Sequence, residues 1–350
     1  TRGRSAGGRG LWHDRSVPVT PSADHDRRDE RKRGSAGRRA ATRSADRRAQ
    51  RPAPPFDDDR DPDHDLDPSD PVGTPEQAVP VRRMLSLGVA AFSVLATVAL
   101  ALGAHTERTA DAVVVFGMQL LFVAVWTIAS RPPAPRVVAG VGVAVAIGTD
   151  AAAVLVDKAS LEPLAYLTAA GFILGVIGQL LRPAGRVRVT ESLGSSLVVA
   201  VGVVAFATLI ELTRHPHGTQ SLVACMGAAG LAVAVARIVD IVAPIPRIAP
   251  QVPRGGIGVV LGAMAGTGCA AIAGFYLDGL ETRPAALAGL ATAVVAVMID
   301  LSVGYAEAGR DLEGEPSAFW LARHAQGPLG ALAFAAPVAY TASVLLLGLI

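Results

Sequence analysis

Residues 235–266 read VARIVDIVAPIPRIAPQVPRGGIGVVLGAMAG, and the rest of the chain is organised around this stretch. An apolar helix ends there with Arg237 and Asp240 near its last turn. It breaks at Pro244 and Pro246 into a joint carrying Arg247 and Arg254, and from Gly255 the chain re-enters as a glycine-studded apolar run. Neither run alternates polar with apolar residues, so both read as helices rather than strands. Each is close to the ~20 residues that an α-helix needs to cross a bilayer.

The same pattern repeats outward from this joint. Apolar runs suited to crossing occupy 84–104, 110–130, 137–156, 161–181, 192–212, 219–241, 256–277, 284–306 and 328–350. The expected fold is therefore all-α: a multi-pass helical transmembrane bundle of nine spans over residues 84–350. Helices are required because backbone facing lipid must satisfy its own hydrogen bonds.

Charge is distributed to match. Residues 1–83 hold 18 of the 32 Lys and Arg and 15 of the 30 acids, so the membrane part is nearly stripped of both. That N-terminal stretch has almost no apolar periodicity and reads as a disordered, charged cytoplasmic tail. It is basic up to Arg51 and acidic from Asp57 to Asp70. The acidic part lacks the ligand spacing and turn glycine of a calcium loop. The basic part suits anionic lipid headgroups. A net charge of +2 gives no reason to expect nucleic-acid binding. The first long apolar run starts at Met84, so no signal peptide is expected before the tail.

With the tail in the cytoplasm, the inner joints carry Arg82, Arg83, Arg131, Arg136, Arg182, Arg186, Arg188, Arg237, Arg247, Arg254, Arg310 and Arg323. The outer joints carry only Arg108, Lys158, Arg214 and Arg283. Twelve against four is the bias of the positive-inside rule, and it places the C-terminus outside. Arginine exceeds lysine thirty to two, a ratio that fits a GC-rich bacterial genome and hence a bacterial cell membrane.

The chemistry-bearing residues are few. Acids within spans are costly and are functional suspects by default. Asp150 lies in the third span. Glu211 ends the fifth and reads as solvated. Asp240 and Asp300 both fall near the cytoplasmic side, and Arg237 stands one turn before Asp240, an i,i+3 ion pair in the simplest reading. The functional alternative makes Asp240 and Asp300 ligands of a divalent cation, with Arg237, Arg247 and Arg254 holding a phosphate headgroup.

Gly258, Gly262 and Gly266 form one smooth helix face, which suits close packing of another helix. The joint from Glu307 to Gln326 is the longest. In it, Phe319 and Trp320 are expected interface anchors, residues 316–324 a short amphipathic surface helix, and His324 an interfacial polar residue or proton carrier. His215 and His217 lie in an outer joint. Cys225 and Cys269 sit in apolar runs, form no framework or zinc pattern, and are expected to be buried thiols. No phosphate-binding P-loop, HExxH or GxSxG pattern is present.

Three features in order resemble the phosphatidate cytidylyltransferases (CDP-diacylglycerol synthases). Asp240 is followed by Ala249-Pro250-Gln251-Val252-Pro253 and the glycine-rich run from Gly255. Asp300-Leu301 is followed by Arg310-Asp311. The last span opens with GPLGALAFAAPVAY, 327–340. The resemblance covers residues 190–350 and implies a cytoplasm-facing site at which an activated phospholipid precursor is made with the help of Mg2+. The family's Ser-Pro-x-Lys-Thr-x-Glu stretch is replaced here by PRGGIG, and its basic pair after Asp-Leu by Gly304 and apolar neighbours.

Three functions follow from the residues. The first is a non-catalytic membrane protein, a scaffold or lipid-binding partner in cell-envelope work, with homo-oligomers allowed. The second is a lipid-phosphate enzyme at the cytoplasmic leaflet using Asp240, Asp300 and Mg2+. The third is a transporter using Asp150 and Asp300 along a polar path.

Overall fold

The computed structural model describes residues 83–182, 188–314 and 319–348. The tail expected over residues 1–83 lies outside them except for Arg83, as do Arg82, Arg186 and residues 315–318. The helices are α1 (Arg83–Gly103), α2 (Arg108–Ser130), α3 (Pro135–Leu155), α4 (Glu162–Leu180), α5 (Val189–Thr213), α6 (Gly218–Val242), α7 (Gly256–Tyr276), α8 (Thr282–Leu312) and α9 (Trp320–Leu346). All nine are long and apolar enough to span a membrane, so the described chain is an all-α, multi-pass membrane protein.

Local chemistry sets the ends. Pro132 and Pro133 cannot continue α2, which closes at Arg131 in the left-handed conformation, φ 46°. Pro135 then opens α3, where a missing N–H costs nothing. The joint after α6 is a correction to the helix-and-loop reading. It folds as an antiparallel hairpin, β1 (Arg247–Ala249) with β2 (Val252–Gly255), pairing Ala249 with Val252 across Pro250-Gln251. Proline in a tight turn suits its fixed φ.

A second correction concerns the last joint. The helix α8 runs on to Leu312, and α9 begins at Trp320, so residues 320–324 are the start of α9 and not a separate surface helix. The two extensions are tied by Arg323, which forms ion pairs with Glu307 and Asp311. Phe319 and Trp320 are exposed, as interface anchors would be.

The core has two centres. The helix α5 packs against α2, α3, α4 and α9, and α6 against α1, α7, α8 and α9. Phe122 anchors the first group, its ring edge-on to Phe206 and Phe334. The second group is built on small residues. The buried side of α7 is Gly258, Gly262, Gly266, Ala270 and Gly274, four residues apart, while Leu261, Met264, Ile272 and Phe275 are exposed. A Cβ on Gly262 would lie 2.6 Å from Ala232 O, and one on Gly266 would lie 2.6 Å from Ala228 O. The glycines thus let the α6 and α7 backbones touch, as expected from their spacing. Large apolar side chains that stay exposed on helices this long face lipid, since water would penalise them.

Candidate functional site

The site is built where α6 ends, α8 passes and the hairpin folds back. Gly255 lies against Pro244 and Ile245, where a Cβ would sit 2.7 Å from backbone atoms, so only glycine fits. That close turn aims the Gly255 N–H at Asp240 Oδ1, 2.9 Å away, and sets Arg254 inside the bundle. Arg254 Nε then lies 2.9 Å from Asp240 Oδ2, and its Nη1 lies 2.8 Å from Asp300 Oδ2. From the opposite side Arg237 donates through Nε to Asp300 Oδ2 at 2.9 Å and through Nη2 to Asp300 Oδ1 at 2.5 Å.

The result is an alternating row of charge: Arg237, Asp300, Arg254, Asp240. The i,i+3 pairing of Arg237 with Asp240 gives way to this cross-helix arrangement. Arg237 makes its forked pair with α8, and Asp240 takes the hairpin. A planar guanidinium matches a carboxylate at two points, so the fork fixes α6 against α8 in orientation as well as distance.

Burial is graded along the network. The side chains of Asp300, Asp240 and Arg254 are 0%, 3% and 4% exposed, those of Arg237, Glu307 and Arg323 19–23%, and that of Asp311 50%. Burial, and after it the Arg237 charge, pulls Arg254 below the usual arginine range; Asp300 and Asp240 oppose that shift. The distances satisfy the charges of Arg254 but its N–H groups do not point at the carboxylate oxygens, and its Nη2 is buried without a hydrogen-bond partner.

These groups border a cavity of about 620 Å³. The charged row and Gln251 to Pro253 line one part of it. Glu307, Asp311, Arg323 and His324 line another, and Leu85, Val89, Leu312 and Trp320 give it apolar walls. Each of its four acids has an arginine: Asp240 with Arg254, Asp300 with Arg237 and Arg254, and Glu307 and Asp311 with Arg323.

Of the residues singled out in the sequence, Arg237, Asp240, Arg254 and Asp300 are thus brought together. Arg247 is not at the cavity: it stands in β1 opposite Gly255. Asp150 is elsewhere, buried among α2, α3 and α5. Glu211 is not solvated. It is buried, paired with Arg214 at 3.0 Å, and accepts the Ser160 N–H. His215 meets the Tyr340 hydroxyl at 3.1 Å. Cys225 is buried and Cys269 only partly so. Glu307 and Arg323 also line the cavity, and neither is among the candidate site residues that the sequence suggests. The signal for Glu307 was its spacing on α8, which repeats the face of Asp300 after two turns.

Among the described residues, no group of three or more His, Cys, Asp or Glu side chains is arranged to hold a metal ion. Compared with known proteins, the chain matches no family model and no curated sequence.

Proposed function

We propose that the chain is an integral protein of a bacterial cytoplasmic membrane that holds the phosphate-bearing headgroup of an anionic lipid in this cavity without transforming it. The observation that carries the reading is Arg254, a buried guanidinium in the cavity wall with an Nη2 that no protein atom satisfies. A buried donor without an acceptor is costly, and phosphate oxygens are the acceptors that guanidinium geometry suits best. The apolar walls around Leu85, Val89 and Trp320 suit the start of the acyl chains. The arginine bias of the joints supports a cytoplasmic tail and a cavity at the cytoplasmic leaflet.

The pairing of all four cavity acids supports a non-catalytic role. Metal-assisted transfer of a nucleotidyl group needs carboxylates available to the cation, and each of these is already ion-paired, three arginines serving the four acids. A second reading keeps Asp240 and Asp300 as Mg2+ ligands of a lipid-phosphate enzyme, in line with the cytidylyltransferase resemblance. It is favoured by both carboxylates lying against one guanidinium at one cavity.

Incubation of the purified full chain with phosphatidic acid, CTP and Mg2+ separates the two. Binding of the lipid with no CTP consumed is the expected result. Formation of a CDP-lipid that is lost in Asp300→Asn would overturn the non-catalytic reading.

A further inference from the structure

A second polar site lies apart from the cavity, toward the end of the bundle where α3 and α5 finish. Gln119 of α2 donates through Nε2 to Asp150 Oδ1 of α3 at 2.8 Å and to Val203 O of α5 at 3.1 Å. Both amide hydrogens are then used. Gln119 Oε1 and Asp150 Oδ2 remain, two buried acceptor oxygens with no donor. Gln119 is fully buried and Asp150 is 7% exposed. The neighbouring Thr149 hydroxyl is engaged with Val145 O and Ala146 O on its own helix.

The charged groups facing this region do not supply the missing donor. Asp111, two turns before Gln119 on α2, is another acid, and its Oδ2 accepts from Thr213 of α5 at 3.1 Å. Arg214 after α5 is committed to Glu211 and to the carbonyls of Ala153, Val156 and Asp157. Arg108, the first residue of α2, reaches Val154 O at 3.4 Å. On α4, Glu162 accepts from the exposed Tyr166.

An ionised carboxylate without a cation, buried among apolar membrane helices, carries a penalty that a single hydrogen removes. We propose that Asp150 is a proton-binding site: a carboxylic acid in the resting protein, whose Oδ2–H supplies the one donor that the Asp150–Gln119 pair lacks. The proton comes from water at the near end of the bundle, where Asp111 and Thr213 form the next polar pair. Binding converts the Asp150 carboxylate and one proton into the neutral acid, and release reverses it.

Infrared spectroscopy of the full chain in lipid nanodiscs in heavy water tests this. A protonated-carboxyl C=O band is expected at neutral pH, absent in Asp150→Asn and replaced by carboxylate absorption at alkaline pH. The melting temperature of the wild type should fall as pH rises through that titration, while that of Asp150→Asn should not. Should Asp150→Asn fail to fold, Gln119→Leu serves instead: a neutral Asp150 keeps the band and shifts it to higher frequency as its hydrogen bond is lost. Absence of an Asp150-dependent band overturns the proposal. So does stabilisation of the wild type by Na+ that Asp150→Asn abolishes, which would assign the site to a metal cation.

Discussion

Asp300 Oδ2 lies 2.8 Å from Arg254 Nη1, joining the middle of a membrane helix to a hairpin strand. Arg237 grips the same carboxylate from α6, so one fully buried acid holds three elements at the edge of the cavity. Well-packed apolar residues often hold such positions as firmly as a buried ion pair does. Removing one partner is different, because it strands the others.

Loss of the Asp300 charge therefore has a large expected effect. Asp300→Asn leaves Arg237 without its carboxylate and Arg254 with Asp240 alone, and the cost expected is about 3–5 kcal/mol. Arg323→Gln at the more exposed end of the network should cost only about 0–1 kcal/mol. Thermal unfolding of both variants in one detergent checks the contrast. Equal losses would show that burial does not grade this network.

The α6–α7 contact predicts a matched pair of alanine substitutions. A Cβ on Gly262 meets the α6 backbone, so Gly262→Ala should destabilise by about 1–3 kcal/mol. Gly268, on the same helix, has open space around the corresponding position, so Gly268→Ala should be neutral or stabilise by up to about 1 kcal/mol through helix propensity. Melting curves of the two variants decide.

The buried pair at the opposite end of the bundle makes a third case. The Arg214 and Glu211 side chains are 4% and 3% exposed, and Arg214 also satisfies carbonyls at the end of α3. Arg214→Met should cost about 3–5 kcal/mol by leaving Glu211 uncompensated. Adding Glu211→Gln to that variant should restore part of the loss. A double-mutant cycle on unfolding measures the coupling.

Much of the fold was legible in the sequence because lipid allows so few backbone solutions. Continuous apolar runs of bilayer length had to be helices, and the glycine period on α7 announced its packing face. The hairpin was not legible, since strands of three and four residues between prolines are too short to show a period. The joint between α8 and α9 was misread because Arg310, Asp311 and Arg323 look like loop polarity, whereas they ride on helices that extend past the apolar core. The candidate site was half visible. Single-helix spacing suggested Arg237 with Asp240, but the partner of each residue sits on another element, and adjacency of elements is not written in one chain. Glu211 looked solvated for the same reason: its burial depends on Arg214 folding back and on Ser160 from the joint between α3 and α4.

Gly304 gives the most direct test of headgroup binding in the cavity. It lines the cavity on α8, and the nearest atom to an added Cβ is Val252 Cγ1 at 4.0 Å, so Gly304→Leu fills the cavity without striking backbone. Native mass spectrometry of the full chain titrated with phosphatidic acid, with neutral diacylglycerol as control, reads the outcome. Wild type should bind the anionic lipid in preference to diacylglycerol, and Gly304→Leu should lose that binding at least tenfold while melting no lower than wild type. Equal binding of both lipids by wild type, or undiminished phosphatidic acid binding by a folded Gly304→Leu, would contradict the account.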